Sequence, residues 1–216
     1  MVAFVMAAGV LVLAIVAVGL AGGPGAALPP PPATPFRARI VTIAESQIGY
    51  RTDPSHTYCN KYSAFWGAGS PCGHGLRSEE WCADFAAWAW RKAGARFTYS
   101  FKSGNIDPSA ASFYLWAVAN GTWHPGTSGY VPEPGDVAVY GLATTSTTGT
   151  WTAAHVAVVT GYSRGAHGPD VVNGDGDQTG FSVVEAGTDQ SKADVPGGPA
   201  YVDGYASPVE PSRSAT

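Results

Sequence analysis

The sequence predicts an α+β fold in which helices come first and a small antiparallel sheet follows. Apolar residues recur at helical spacing in three segments before residue 121. After the Pro-Glu-Pro-Gly-Asp run at 132–136, the pattern changes to short β-branched runs separated by glycine-rich turns, as in antiparallel hairpins. Helices and strands that occupy separate parts of one chain are typical of an α+β domain.

The first and third predicted helices are ordinary amphipathic elements. A helix over residues 36–49, ended by a glycine, would share one face among Ile40, Ile43, Ala44 and Ile48. Loop-like sequence follows over residues 50–77. A helix over residues 108–120 would turn inward the residues Phe113, Trp116 and Ala117.

The second predicted helix carries an aromatic stripe. Ser78 is predicted to cap its first turn by accepting a hydrogen bond from a free backbone N–H, and Gly94 is predicted to end it. Trp81, Phe85 and Trp88 are spaced at i, i+4 and i+7, which places them on one helical face directed to the core.

Cys82 lies beside that stripe, in the first turn of the helix or just past it. The helix dipole favours an anion there, and a free thiol with a pKa of about 8.5 needs such help to be a nucleophile at neutral pH. Glu79 and Glu80 oppose the dipole, so a nearby imidazolium is needed as well. The alternative is that Cys82 is an inert buried thiol.

Four strands are predicted in the second half of the chain, over residues 137–140, 155–160, 170–172 and 181–185. Residues 36–206 therefore form one folded domain, and residues 207–216 are predicted to be a polar tail. A chain of 216 residues is long enough for one domain with a sizeable core.

The composition limits the partners and the compartment. The net charge of -4 comes without any basic cluster, so we expect no nucleic acid partner. Abundant glycine, alanine and aromatic residues with little lysine are typical of an exported enzyme. We expect a monomer that needs no metal or organic cofactor.

The N-terminal residues 1–22 are predicted to be a membrane anchor or a signal segment. Their apolar run is long enough to cross a hydrocarbon core of about 30 Å, and small residues at 21–27 offer a cleavage site. Arg37 and Arg39 follow the run, and the positive-inside rule alone would leave the domain in the cytoplasm. The cysteine pattern favours an extracytoplasmic domain, held at the membrane through residues 2–21 or secreted to the cell wall. Residues 23–35, rich in proline and glycine, are predicted to be a stiff linker.

The chain has three cysteines, and an odd number in an exported domain indicates one disulfide and one free thiol. Cys59 and Cys72 are 13 residues apart and would close a loop that has few other means of ordering itself, leaving Cys82 free. A zinc site built from His56, Cys59, Cys72 and His74 is the alternative.

Of the five histidines, only His155 opens a predicted strand. A buried imidazole needs a polar partner, and Asn173 ends the returning strand of the hairpin 18 residues later. Its amide oxygen would hold the ring towards Cys82, which is the third role in a cysteine triad. Asp175 and Glu185 are competing candidates for this role, and the alternative is that residues 173–176 are only a turn.

The same segment has some resemblance to a calcium loop. Asn173, Asp175 and Asp177 supply oxygen ligands, but Gln178 and Val184 break the EF-hand pattern. We therefore expect no metal site there.

Three motifs carry a resemblance to a known family: Glu-Trp-Cys-Ala-Asp-Phe-Ala-Ala-Trp at 80–88, Pro-Gly-Asp-Val at 134–137 and His-Val-Ala-Val-Val at 155–159. Over residues 36–206 the sequence resembles CHAP domains, the cysteine- and histidine-dependent amidohydrolase/peptidase family of the NlpC/P60–CHAP superfamily. The resemblance implies a papain-like fold, with N-terminal helices packed on a small antiparallel sheet. In that family a glutamate, asparagine or aspartate ends the strand after the histidine, and Asn173 and Asp175 occupy the corresponding places.

The resemblance implies cleavage of an amide bond in peptidoglycan, by an N-acetylmuramoyl-L-alanine amidase or a peptide endopeptidase. Cys82 would attack the carbonyl and form an acyl-thioester, with His155 as its base. The backbone N–H of Cys82 would contribute to the oxyanion hole. Trp81, Trp123 and Trp151 are either core residues or the lining of a substrate groove.

Three alternatives to this function remain at the sequence level. An NlpC/P60-type γ-D-glutamyl endopeptidase shares the cysteine, the histidine and the fold, but favours histidine as the third group. A non-catalytic wall-binding or scaffold module would not need Cys82. A redox thiol protein is disfavoured because the chain has no Cys-x-x-Cys motif.

Overall fold

The structure is a computed structural model that describes residues 33–55, 57–163, 165–176 and 183–211. The predicted anchor or signal segment, most of the predicted linker and the end of the predicted tail lie outside these residues. So do four single residues from the predictions: His56, Asp177, Gln178 and Phe181.

No helix in the described part of the chain is long and apolar enough to span a membrane.

Four helices and twelve strands follow one another along the described chain. In order they are α1 (Pro35–Glu45), β1 (Cys59–Asn60), α2 (Lys61–Trp66), β2 (Ser70–Gly73), β3 (Leu76–Ser78), α3 (Cys82–Ala93), α4 (Ala111–Asn120), β4 (Trp123–Pro125), a 3-10 turn (Gly126–Ser128), β5 (Val137–Tyr140), β6 (Ala143–Thr144), β7 (Trp151–Thr152), β8 (His155–Gly161), β9 (Asp170–Gly176), β10 (Val183–Gly187), β11 (Lys192–Val195) and β12 (Gly198–Ala206).

The central sheet has the strand order β10-β9-β8-β5-β12-β11, and β4 also pairs with β12. Every one of these pairs is antiparallel. Helix α3 packs on β8 and β9 and is flanked by α1 and α2. Helices that precede an antiparallel sheet make this an α+β fold, which confirms the predicted class.

Helix α1 is shorter than predicted. Thr34 caps it through a hydrogen bond from the Arg37 N–H to Oγ1 (3.3 Å), and the helix ends at Glu45 instead of residue 49. Ile48 therefore lies beyond the last helical turn and is 47% exposed, so its predicted place on the buried face is wrong.

The predicted loop over residues 50–77 is ordered by short elements. Strands β1, β3 and β2 form a small antiparallel sheet, and a disulfide joins Cys59 to Cys72 across it. Asn60 caps α2 with Oδ1, which accepts hydrogen bonds from the N–H groups of Tyr62 and Ser63 (both 2.8 Å). The periodicity of these segments is too short to indicate helix or strand from sequence.

The strand at 137–140 has its predicted bounds, and β8 and β9 are longer than predicted. Strand β10 continues to Gly187, beyond the predicted end at residue 185, and the predicted residues 181 and 182 lie outside the described residues. Asn173 and Asp175 lie within β9 and not in a turn. The hairpin of β11 and β12 was not predicted, because glycine and proline interrupt its apolar pattern.

The chain stays attached to the domain beyond Ala206, where a polar tail was predicted to begin. Ser207 is buried, and Val209 packs against the core while its carbonyl accepts a hydrogen bond from the Arg96 N–H (3.0 Å).

Asp136, at the entrance to β5, is a fully buried carboxylate that joins several distant segments. Its Oδ1 accepts from Arg37 Nη1 (2.7 Å) and Ser207 Oγ (2.7 Å). Its Oδ2 accepts from Tyr130 Oη (2.8 Å) and the Glu133 N–H (2.9 Å). These bonds satisfy the buried charge and tie α1 and the C-terminal segment to the start of the sheet.

Asp136→Ala should lower the free energy of unfolding by about 3–5 kcal/mol, because it removes the buried charge partner of the Arg37 guanidinium and leaves several other donors without their acceptor. Urea denaturation at pH 7 measures this loss. Glu133→Ala is the matched control, since Glu133 also contacts Arg37 (3.1 Å) but its side chain is 32% exposed. The control should cost less than about 1 kcal/mol. Equal losses in the two variants would contradict the central role of Asp136.

Candidate active site

Helix α3 begins at Cys82, so the thiol stands in the first position of the helix. The helix packs against β8 and β9, and Cys82 is only 8% exposed. The first intrahelical hydrogen bond runs from the Phe85 N–H to the Trp81 carbonyl (2.9 Å). The N–H groups before Phe85 have no carbonyl one turn earlier to bind, which is the usual state of a helix start.

The predicted cap of this helix is wrong. Ser78 lies in β3 and pairs with Cys59 and Ser70 in the small sheet, which keeps it away from the helix start. The side chain that satisfies the helix start comes from β9: Asp175 Oδ2 accepts a hydrogen bond from the Trp81 N–H (2.9 Å). A contact between residues 94 positions apart cannot be read from local sequence.

A close contact between α3 and β9 sets the position of the helix. A Cβ atom on Gly174 would lie 2.4 Å from the Cβ and 2.5 Å from the Cγ of Phe85. Only a glycine lets the buried Phe85 side chain lie directly on the strand. Gly174 stands between Asn173 and Asp175, so the same contact fixes α3 relative to the strand that carries both polar residues.

His155 opens β8, opposite Tyr140 of β5. Its Nε2 is 3.0 Å from Asn173 Oδ1, and both residues are buried. We assign the proton of the neutral imidazole to Nε2, because the amide oxygen can only accept a hydrogen bond. Nδ1 is then unprotonated and can act as a base.

Cys82 and His155 share a small cleft of about 50 Å³. The remaining residues that line this cleft are Tyr58, Glu80, Ala154, Asp175, Val195 and Pro196. The structure thus brings together three of the predicted site residues, namely the thiol, the imidazole and the amide that binds it. In such an arrangement the thiol can act as a nucleophile, the imidazole beside it as a base, and the amide as the group that orients the imidazole.

Burial controls the protonation of the pair. It raises the pKa of the Cys82 thiol to about 12, and the charge of Asp175 adds to this effect. Burial also lowers the pKa of His155 to about 4, against the opposing effect of the hydrogen bond with Asn173. Both shifts favour the uncharged forms, so the resting pair at neutral pH is a thiol and a neutral imidazole.

Neither alternative to Asn173 binds the imidazole. Burial raises the pKa of Asp175 to about 8, and its Oδ2 binds the helix start while Oδ1 is buried without a hydrogen-bond partner in the described structure. Glu185 lies next to Asn173 in the sheet, but its side chain is exposed and does not line the cleft.

The predicted substrate groove of tryptophans is not found at this cleft. Trp81 is fully buried and stacks on Tyr62 at 5.3 Å between ring centroids, so it belongs to the core. Trp123 and Trp151 both contact Tyr114, at 5.0 and 4.6 Å between centroids, and neither lines the cleft. The indole rings pack with other aromatic residues, which is the commoner role of single aromatics.

The zinc alternative is not supported. The sulfur atoms of Cys59 and Cys72 are joined to each other and cannot act as thiolate ligands. The described residues contain no group of three or more histidine, cysteine or carboxylate side chains arranged to hold a metal.

Sequence reasoning missed two further parts of the site. Val195 and Pro196, at the tip of the β11–β12 hairpin, line the cleft. Gln190, just before β11, binds the Asn173 amide: Nδ2 donates to Gln190 Oε1 at 3.1 Å. Neither part has a local signal in the sequence, because these residues reach the site only through the folded sheet.

Comparison with known families agrees with the resemblance stated above. Residues 73–173 match the family model described as CHAP domain, and this segment contains Cys82, His155 and Asn173. No curated protein and no solved structure gives a significant match to the chain. The predicted family is confirmed over this segment.

Gly174→Ala should destabilise the fold by about 1–3 kcal/mol, because the added methyl group overlaps the buried Phe85 side chain. Thermal and urea denaturation measure the loss. Gly161→Ala in β8 is the control, since a Cβ there would have only an ordinary contact of 3.6 Å with Asp170. A neutral effect of Gly174→Ala would mean that α3 is not held this closely against β9.

Alkylation of Cys82 by iodoacetamide should accelerate steadily as the pH rises from 6 to 10. The thiolate fraction is small below the raised pKa of about 12, and it grows with each step in pH. The rate is measured by quenching the reaction at a series of times and determining the alkylated fraction by mass spectrometry. A rate that is already flat between pH 6 and 8 would show a thiolate–imidazolium pair and contradict the neutral resting state.

Proposed function

We propose that the protein is a peptidoglycan hydrolase with Cys82 as nucleophile and His155 as base, because residues 73–173 match the family model described as CHAP domain. A CHAP domain implies, in general, amidase or peptidase activity of the peptidoglycan-hydrolase type. The observation that carries the finer proposal is the hydrogen bond of 3.0 Å between His155 Nε2 and Asn173 Oδ1, beside the thiol at the start of α3.

In the proposed reaction His155 Nδ1 takes the proton of the Cys82 thiol as the sulfur attacks the carbonyl carbon of an amide. The imidazolium then gives this proton to the leaving nitrogen, and the carbon–nitrogen bond breaks. The acyl group remains on sulfur as a thioester. Water, deprotonated by the same imidazole, hydrolyses the thioester and restores the thiol.

The helix start supplies a donor for the oxyanion. The N–H of Cys82 precedes the first intrahelical bond, so it is free of the helix and adjoins the attacking sulfur. One such donor commonly lowers the barrier by about 2.7–4 kcal/mol.

Burial of the pair explains why proton transfer accompanies the attack. A free thiolate beside a free imidazolium is disfavoured in the covered cleft, where the pKa of the thiol is raised and that of the imidazole is lowered. Charge develops only when the substrate carbonyl and the oxyanion donor are present to stabilise it.

We propose that the protein acts outside the cytoplasm, where a peptidoglycan substrate would lie. We propose that residues 1–22 hold the protein at the membrane or direct its secretion, and that the linker lets the domain reach the cell wall. The Cys59–Cys72 disulfide supports this location, because such bonds persist in oxidising compartments.

Purified full-length protein should release soluble fragments from peptidoglycan, and Cys82→Ser and His155→Ala should each reduce the rate by about 10³-fold or more. Mass spectrometry of the products identifies the new termini, which distinguishes an N-acetylmuramoyl-L-alanine amidase from a peptide endopeptidase.

His124→Ala is the matched control for this experiment. His124 stacks on Tyr130 at 3.8 Å between ring centroids and does not line the cleft, so its variant should digest at the wild-type rate. Undiminished digestion by Cys82→Ser would rule out the nucleophile. Binding of peptidoglycan without any cleavage by the wild type would favour a scaffold role.

A further inference from the structure

We propose that Gln190 is a positioning residue, whose side-chain oxygen fixes the orientation of the Asn173 amide and thereby the tautomer of His155. The inference rests on the proposed function for its catalytic meaning. Its structural content is a chain of three side chains: His155, Asn173 and Gln190.

Two hydrogen bonds define the chain. Asn173 Oδ1 lies 3.0 Å from His155 Nε2, and on its other side Asn173 Nδ2 donates to Gln190 Oε1 at 3.1 Å. A primary amide has an acceptor at one end and a donor at the other. Rotation of the Asn173 amide by 180° would set its oxygen against the Gln190 oxygen, with no hydrogen between them. With the Gln190 amide in its observed orientation, Oε1 favours the rotamer in which the Asn173 oxygen faces the imidazole.

The rotamer decides which nitrogen of His155 can accept a proton. With the amide oxygen towards it, Nε2 must carry the hydrogen and Nδ1 is left as the base. With the amide nitrogen towards it, Nε2 would become the acceptor and Nδ1 would carry the hydrogen. The second tautomer cannot take a proton from the thiol at Nδ1, so the orientation of one amide controls the base.

The backbone of Gln190 is held in place on both sides. Its N–H donates to the Pro169 carbonyl at 2.8 Å, and its carbonyl accepts from Tyr140 Oη at 3.2 Å. Both partners stand on or beside the central sheet that also carries His155 and Asn173. The glutamine is thus fixed to the framework that bears the site.

The side chain of Gln190 lies directly over Gly187. A Cβ atom at that position would come within 2.3 Å of the Gln190 Cδ and 2.6 Å of both amide end atoms. Because Gly187 has no side chain, the Gln190 amide can occupy the space above it. Gly187→Ala therefore displaces the end of a flexible side chain and leaves the glutamine itself in the sequence.

The tautomer of His155 can be measured without a substrate. In full-length protein labelled with ¹⁵N-histidine, the ring nitrogen shifts at pH 7 distinguish a protonated from an unprotonated nitrogen, and His155→Ala identifies the signals. We expect protonated Nε2 in the wild type. Gln190→Met and Gly187→Ala should each raise the population of the Nδ1-protonated form, and Gln190→Glu, which keeps an acceptor oxygen, should restore the wild-type signal.

Activity supplies the second readout. One neutral hydrogen bond is worth a few-fold in an equilibrium, so kcat for peptidoglycan should fall about 3- to 10-fold in Gln190→Met and Gly187→Ala, with KM unchanged. Gln190→Glu should recover kcat. The matched controls are Gln47→Met, which makes the same change at a residue that does not line the cleft, and Gly161→Ala, and both should have the kcat of the wild type.

A wild-type His155 protonated on Nδ1, or a tautomer population that is the same in Gln190→Met and the wild type, would overturn the inference. If Gln190→Met does not fold, Gly187→Ala decides the question, because it keeps the glutamine. A wild type that cuts no peptidoglycan would refute the proposed function, while the nitrogen shifts would still decide whether Gln190 sets the tautomer.

Discussion

The contact of Phe85 with the bare backbone of Gly174 is the constraint on which the candidate site depends. It lets α3 approach β9 more closely than any side chain would allow. The cysteine at the start of the helix and the polar residues on either side of the glycine are then fixed relative to one another. Catalytic geometry here follows from core packing, since buried helices and strands have little freedom to shift.

Close packing also explains the electrostatics of the site. The helix, the sheet and the tip of the β11–β12 hairpin cover the thiol and imidazole, so water does not stabilise their charged forms. A helix start alone would favour a thiolate. Burial outweighs that effect, so the charges on the thiol and the imidazole form during the reaction and are not present beforehand.

Local sequence was sufficient for the parts of the site that lie close together along the chain. His155 and Asn173 stand on neighbouring strands of one hairpin, and a polar residue at each place in an apolar run marked them. The cap of α3 and the second partner of Asn173 could not be found in this way, because Asp175 and Gln190 reach their partners only through the folded sheet. The spacing of Trp81 indicated a buried helical face, which the structure shows, but spacing alone left open whether a tryptophan lines a groove. The fold class could be predicted from the order of helices and strands along the chain. The β11–β12 hairpin could not, because its sequence, with glycine and proline in the turn, has no clear alternation of apolar and polar residues.

The start of α3 serves both the fold and the proposed chemistry, and the two uses are compatible because they take different N–H groups. Asp175 binds the N–H of Trp81, which lies before the helix. The N–H of Cys82, one residue later, is left for an oxyanion. A side-chain cap from Ser78 would have bound an N–H inside the first turn, where it would compete with the oxyanion for the same donors. A carboxylate from β9 avoids this competition and also fixes the helix start to the strand that carries Asn173. Burial is the main cause of the raised pKa of Cys82, and Asp175 adds to it once it ionises, so the imidazole of His155 has a necessary role in removing the proton.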